Sequence, residues 1–159
     1  MRKDKINYYL DIAQSVSERS TCLRRHYGCV IVKNDEIIST GYNGAPRGRK
    51  NCDELGYCYR EKMEIPRGER YELCRSVHAE QNAIISAARR DLIDSTIYIV
   101  GVNAKDGSIE PKSTSCMMCK TVVTNRGAKE VIVRAQNNEY SIHKVADSTN
   151  DDASLLGRH

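Results

Sequence analysis

Two short motifs hold the residue types that hydrolytic metal chemistry needs: His78-Ala79-Glu80 and, 36 residues after that glutamate, Cys116-Met117-Met118-Cys119. A Cys-x-x-Cys pair at the start of a helix brings both sulfurs to one end. There the positive end of the helix dipole and a metal both favour the thiolate form. One imidazole and two thiolates leave the fourth tetrahedral position of Zn2+ open to water, the mark of a catalytic rather than a structural site. The thiolates neutralise the ion, whose Lewis acidity lowers the pKa of bound water toward neutrality. Glu80 stands two residues beyond His78, and at a helix N-terminus that spacing lets both side chains reach one cavity. A carboxylate there can take the water's proton and return it to a substrate. Each motif alone is weak, since His-Ala-Glu arises by chance and Cys-x-x-Cys also suits a redox pair or half a zinc ribbon. Together, each at a predicted helix start, they point to one catalytic zinc held by His78, Cys116 and Cys119, with Glu80 as proton carrier.

The surrounding pattern supplies elements to position them. Ile6, Leu10, Ala13 and Val16 recur at helical spacing and predict a first helix over about residues 3–19. Residues 28–33 read as a strand, Asn34-Asp35 as a turn, and 36–41 as the antiparallel partner. Both faces of the first strand are apolar, so Cys29 reads as a small core residue. The stretch from Gly41 to Val77 is a long loop, functional or pinned by something other than a core. A second helix is expected from His78 to Arg90, a buried strand over 96–102, a third helix from Cys116 to about Asn125, and a short strand over 131–133. This order argues an α/β layered fold with helices packed on a mixed sheet.

At 159 residues the chain fits a single domain, 1–159, with about 147–159 as a polar, frayed tail. Hydrophobic residues make up 40% and charged residues 29%, as in ordinary globular proteins. No apolar run reaches the ~18 residues of a membrane span, and the charged start shows no signal peptide, so a cytoplasmic location is expected. The net charge of +4 is too mild to imply nucleic acid. It suits a few cations around a phosphate-bearing ligand, with Arg24-Arg25 and Arg47-Gly-Arg-Lys50 as the candidate clusters. Seven cysteines in a reducing compartment read as metal ligands or buried thiols.

His-x-Glu combined with Cys-x-x-Cys is the signature of zinc-dependent nucleobase deaminases. Around it, four stretches resemble the deoxycytidylate (dCMP) deaminase family of the cytidine deaminase-like superfamily: residues 20–32, Ile37 to Gly48 with its Gly41-Tyr-Asn-Gly44 run and Pro46, His78-Ala-Glu-Gln-Asn-Ala-Ile84, and Cys116-Met-Met-Cys119. The resemblance covers about residues 5 to 134. It implies a three-layer α/β/α fold with a mixed central sheet, and conversion of dCMP and water to dUMP and ammonia for the thymidylate pathway. Water activated on the zinc would attack C4 of cytosine, with Glu80 protonating N3 and later the leaving amine. Asn43 is similar to the residue that contacts the sugar; the Ala79 backbone and the Thr114 carbonyl would read the base edge. Arg24 and Arg25 are the expected phosphate ligands. The resemblance also implies a homohexamer activated by dCTP and inhibited by dTTP, with Mg2+ accompanying the triphosphate, and an allosteric pocket at Tyr42, Asn43 and Gly44. The glycines of this run also suit a turn needing positive φ.

Cys22, Cys52, Cys58 and Cys74 remain. Three lie in the long loop, where isolated thiols bury little, whereas four thiolates around a structural Zn2+ would pin the segment that leads to His78. Some relatives bind a second zinc through residues matching Cys22 and Cys52; unligated, partly buried thiols are the alternative. Two features depart from the family pattern: Ser115 replaces the usual Pro, and residues 103–114 form a longer connection. Both border the base pocket, so dCTP joins dCMP as a candidate substrate. A deaminase acting on tRNA or another nucleobase would need stacking surfaces, and the chain has no Phe or Trp. A non-catalytic zinc module leaves Glu80 unexplained.

Overall fold

The computed structural model describes residues 1–66, 69–110 and 117–146. Five strands form one sheet in the order β2-β1-β3-β4-β5. They are β1 (Arg25–Lys33), β2 (Glu36–Tyr42), β3 (Thr96–Asn103), β4 (Glu130–Arg134) and β5 (Tyr140–Lys144). Only β3 and β4 run parallel, so the sheet is mixed as expected. The β1–β2 turn forms at Asn34 and Asp35, both with positive φ, the residue types that tolerate a two-residue hairpin turn.

Strand alternation divides the core into two layers. Val30, Val32, Tyr98, Val100 and Ile132 face α1 (Lys5–Ser17) and bury against its Tyr9, Leu10 and Ala13. Cys29, Ile31, Ile97, Ile99 and Val133 face the other way. There they meet Ala79, Ala83 and Ile84 of α4 (Ala79–Ile85) and Val123 of α6 (Met117–Asn125). Cys29 is fully buried among them.

Three expectations need correction. The helix expected over 78–90 stops at Ile85, and a separate turn, α5 (Arg89–Leu92), follows. Ile85 is 74% exposed, so continuing the helix would add little burial; breaking it drives Leu92 fully into the core, and packing overrides helix propensity. The long loop contains short helices, α2 (Cys52–Leu55) and α3 (Tyr59–Lys62), and a 3-10 turn over Tyr71–Leu73. Strand β5 went unread because it is short and exposed throughout; it is held by its ladder to β4 and by Lys144 Nζ on Glu130 at 2.6 Å.

The glycines in Gly41-Tyr-Asn-Gly44 are not positive-φ residues. Gly41 is required by proximity: a Cβ there would overlap the Ala79 carbonyl oxygen and the Ala83 nitrogen of α4. Gly44 instead pairs with Val77 through two backbone hydrogen bonds, of 3.2 and 2.7 Å. Because the obstacle at Gly41 is helix backbone, Gly41→Ala should push α4 off the sheet and destabilise the chain by about 3 kcal/mol. Urea denaturation within about 0.5 kcal/mol of wild type would refute this close approach.

Candidate active site

The N-terminus of α4 presents the functional residues. His78 is its N-cap, and its backbone N–H donates to Gln81 Oε1 at 3.0 Å. The Gly44–Val77 bridge aligns the chain just before it. Ser39 Oγ donates to the Ala83 carbonyl at 2.6 Å, and Asn82 Nδ2 to the Tyr42 carbonyl at 2.8 Å, so β2 clamps the helix. In the first turn, Glu80 is only 6% exposed. Its carboxylate lies close enough to Cys29 to add to the effect of burial, which by itself raises that thiol far above its usual range. Cys29 is therefore a neutral core thiol, as its alternating strand position suggested.

His78 Nδ1 lies 3.3 Å from Sγ of the fully buried Cys119, in the first turn of α6. Two ligands at ordinary Zn–N and Zn–S lengths on one tetrahedral ion sit about 3.5 Å apart. The pair therefore fits a shared zinc. The expected third ligand, Cys116, lies outside the described residues, as do Ser115 and the Thr114 carbonyl.

His78 and Glu80 line one cavity. Its lining also includes Ala79, Asn43, Arg24, Arg25, Arg60 and Tyr71, together with Cys22, Cys58 and Cys74. Asn43 is buried, and its amide secures the start of β1: Oδ1 accepts from the Tyr27 N–H at 2.8 Å and from Ser20 Oγ at 2.5 Å, and Nδ2 donates to the Arg25 carbonyl at 2.9 Å. Its second Nδ2 hydrogen is available to a ligand. Arg24 Nε pairs with Glu61 at 2.9 Å, and Arg25 Nε lies 3.5 Å from Glu110. Of the three residues assigned to an allosteric pocket, Tyr42 alone carries a side chain to the surface; Asn43 turns inward and Gly44 is paired with Val77.

The four remaining cysteines come from three separate segments into one neighbourhood. Cys52 is buried, which raises its thiol pKa, and Cys22, Cys74 and Cys58 raise it further by their own charge. Cys74 is likewise raised by burial, against the opposing pull of a hydrogen bond from the Ser76 backbone and a weaker one from Arg60. Among the described residues, no three His, Cys, Asp or Glu side chains converge tightly enough to form a ready-made metal site. Sequence reasoning missed Tyr71 and Arg60. The Tyr71 ring meets His78 edge-on, with centroids 5.4 Å apart; no periodicity or motif marks either residue in the chain.

A mixed sheet between two helical layers, with the chemistry at one helix N-terminus, defines the cytidine deaminase-like α/β/α fold. The dCMP deaminase from the cyanophage S-TIM5 in apo form superposes on it with a TM-score of 0.59, covering 87% of this chain and 88% of that one at 24% identity. The family model for the cytidine and deoxycytidylate deaminase zinc-binding region matches residues 3–135, and the chain belongs to this family. It is 34% identical over 136 residues to the deoxycytidylate deaminase of Mycobacterium phage D29, covering 82% of this chain and 94% of that protein. It is 35% identical over 132 residues to the deoxycytidylate deaminase of Schizosaccharomyces pombe, covering 83% of this chain but spanning only 37% of that longer protein.

Asn43 makes three hydrogen bonds from a buried position, so Asn43→Ala should lower stability by about 2–3 kcal/mol. A denaturation midpoint equal to wild type would show that the amide does not secure β1.

Proposed function

We propose that this chain is a zinc-dependent hydrolase that converts dCMP to dUMP and ammonia. The observation that carries this reading is the buried Glu80 carboxylate two residues after His78, whose Nδ1 lies 3.3 Å from Cys119 Sγ, with His78 and Glu80 lining one cavity. His78, Cys119 and Cys116 would hold the zinc, which when bound supplies Lewis acidity that makes water acidic near neutral pH. Glu80 takes the proton from the attacking water and delivers it to N3 of cytosine; it then takes the proton of the hydroxyl newly formed on C4 and passes it to the amine, so that the C4 carbonyl forms as the C4–N bond breaks and ammonia leaves. Its burial excludes bulk water that would compete for that proton.

The Ala79 backbone and the Thr114 carbonyl read the base edge, and Asn43 offers its remaining N–H to the sugar. Arg24 and Arg25 place positive charge on the cavity wall, suiting a phosphate. The relatives named deoxycytidylate deaminase support this substrate, as does the S-TIM5 enzyme, whose structure in complex with dCMP and dUMP shares the fold at a TM-score of 0.58. We extend the reading to a second, structural zinc on Cys22, Cys52, Cys58 and Cys74, supported by their shared neighbourhood, and to a cytoplasmic homohexamer responding to dCTP, with its Mg2+, and dTTP at Tyr42, Asn43 and Gly44.

Ammonia release should be greatest with dCMP among dCMP, dCTP, cytidine and tRNA, and the dCMP saturation curve should shift with dCTP and dTTP. Glu80→Gln should lose about 10²- to 10⁴-fold in rate while keeping its zinc. Inactivity of wild type on dCMP defeats the function; an unshifted curve defeats the regulation alone. Fully loaded protein should contain two zinc ions per chain by elemental analysis, falling to one in Cys52→Ser. A single ion in wild type eliminates the structural site.

A further inference from the structure

Arg60 lines the cavity that holds Glu80, yet the reaction above gives it no task. It sits on α3 and is 5% exposed. Nε donates to the Glu69 carbonyl at 3.2 Å, and Nη2 to the carbonyls of Glu69 at 2.8 Å and Pro66 at 3.2 Å. Its guanidinium lies 4.4 Å over the Tyr71 ring, and that ring in turn meets His78 edge-on. Among the described residues no carboxylate pairs with Arg60, and Nη1 makes no hydrogen bond.

Carbonyl dipoles satisfy two of the three nitrogens, and the exposed Glu72 carboxylate, whose pKa the Arg60 charge helps to lower, is already paired with Arg70, so the buried guanidinium has no carboxylate in contact among the described residues. The neighbouring cations differ, because Arg24 and Arg25 already face Glu61 and Glu110. A planar guanidinium held over an aromatic face in the lining of the cavity, with one nitrogen outside its hydrogen bonds, matches a phosphate group.

We propose that Arg60 binds the 5′-phosphate of the nucleotide through Nη1, with Tyr71 fixing the guanidinium plane, and so sets the preference for nucleotide over nucleoside. This rests on the reading of the site as a cytosine-nucleotide deaminase. Arg24 and Arg25 then contribute field at the wall, and Arg60 makes the contact. The competing role is charge balance for the thiols around Cys74, which would act on metal content and on every substrate alike.

The test compares dCMP with deoxycytidine in wild type, Arg60→Gln and Arg60→Lys, with zinc content measured in each. Arg60→Gln should lower kcat/KM for dCMP about 30- to 100-fold while deoxycytidine stays within about threefold and zinc is unchanged; Arg60→Lys should lose less. Equal losses on both substrates, or an unchanged ratio between them, overturn the proposal. Should the variants not fold, hydrogen exchange on wild type decides: dUMP should slow exchange across residues 59–62 beyond what deoxyuridine does, and equal exchange overturns the proposal. Wild type that shows this phosphate-dependent protection but releases no ammonia from dCMP refutes the deaminase reading alone. Ammonia release from dCMP that is indifferent to Arg60 refutes the phosphate contact alone.

Discussion

The backbone of α4 rests on the backbone of β2 at Gly41, with no side chain between them. The placement of the candidate residues on α4 depends on that contact. It sets the depth of the helix, which sets the depth of His78 and Glu80, and the hydrogen bonds from Ser39 and Asn82 prevent rotation about it. Metal ligation tolerates errors of only a few tenths of an ångström. A site assembled from two separate helices therefore needs its scaffold fixed by hard contacts, and backbone against backbone is the stiffest available.

Buried charge is handled in two ways. Arg134, 3% exposed at the end of β4, is surrounded by Asp11 at 2.7 Å, Gln14 at 2.9 Å and Asn7 at 3.1 Å, and ties α1 to the sheet. Its Nη atoms are held by these groups of the chain, while its Nε is buried without a hydrogen-bond partner. Arg60 is as deeply buried but has only carbonyls and an aromatic face. The contrast separates a structural cation from one whose anion arrives with a ligand.

The cysteines show the same division by environment. Cys29 points into a dry layer of aliphatic side chains, where burial holds the thiol neutral. Cys119 is as buried, yet faces the His78 imidazole. Cys52 and Cys74 are each raised first by burial and then by neighbouring thiols, Cys52 by Cys22, Cys74 and Cys58, and Cys74 by Cys22 and Cys58. One residue type thus serves as core filler or as a group that a metal could ionise, according to what surrounds it.

The succession of α1, β1, β2, α4, β3, α6 and β4, the strands apolar on both faces and the candidacy of His78, Glu80 and Cys119 were legible in the chain, because strand alternation, helical spacing and two ligand motifs are local patterns. Local pattern did not show the break after Ile85, which follows from the burial of Leu92, or strand β5, whose Tyr-Ser-Ile-His alternation is too short to mark a strand and buries neither face. It also misjudged Gly41, whose need is a neighbouring helix and not its own φ. Arg60 and Tyr71 sit in a segment without periodicity, and only folding brings them beside His78. The sequence by itself determined which chemistry the chain can perform, since ligand type and spacing are written along it. Tertiary structure alone decided which cation is left without an anion, because charge balance depends on distances between segments that share no local signal.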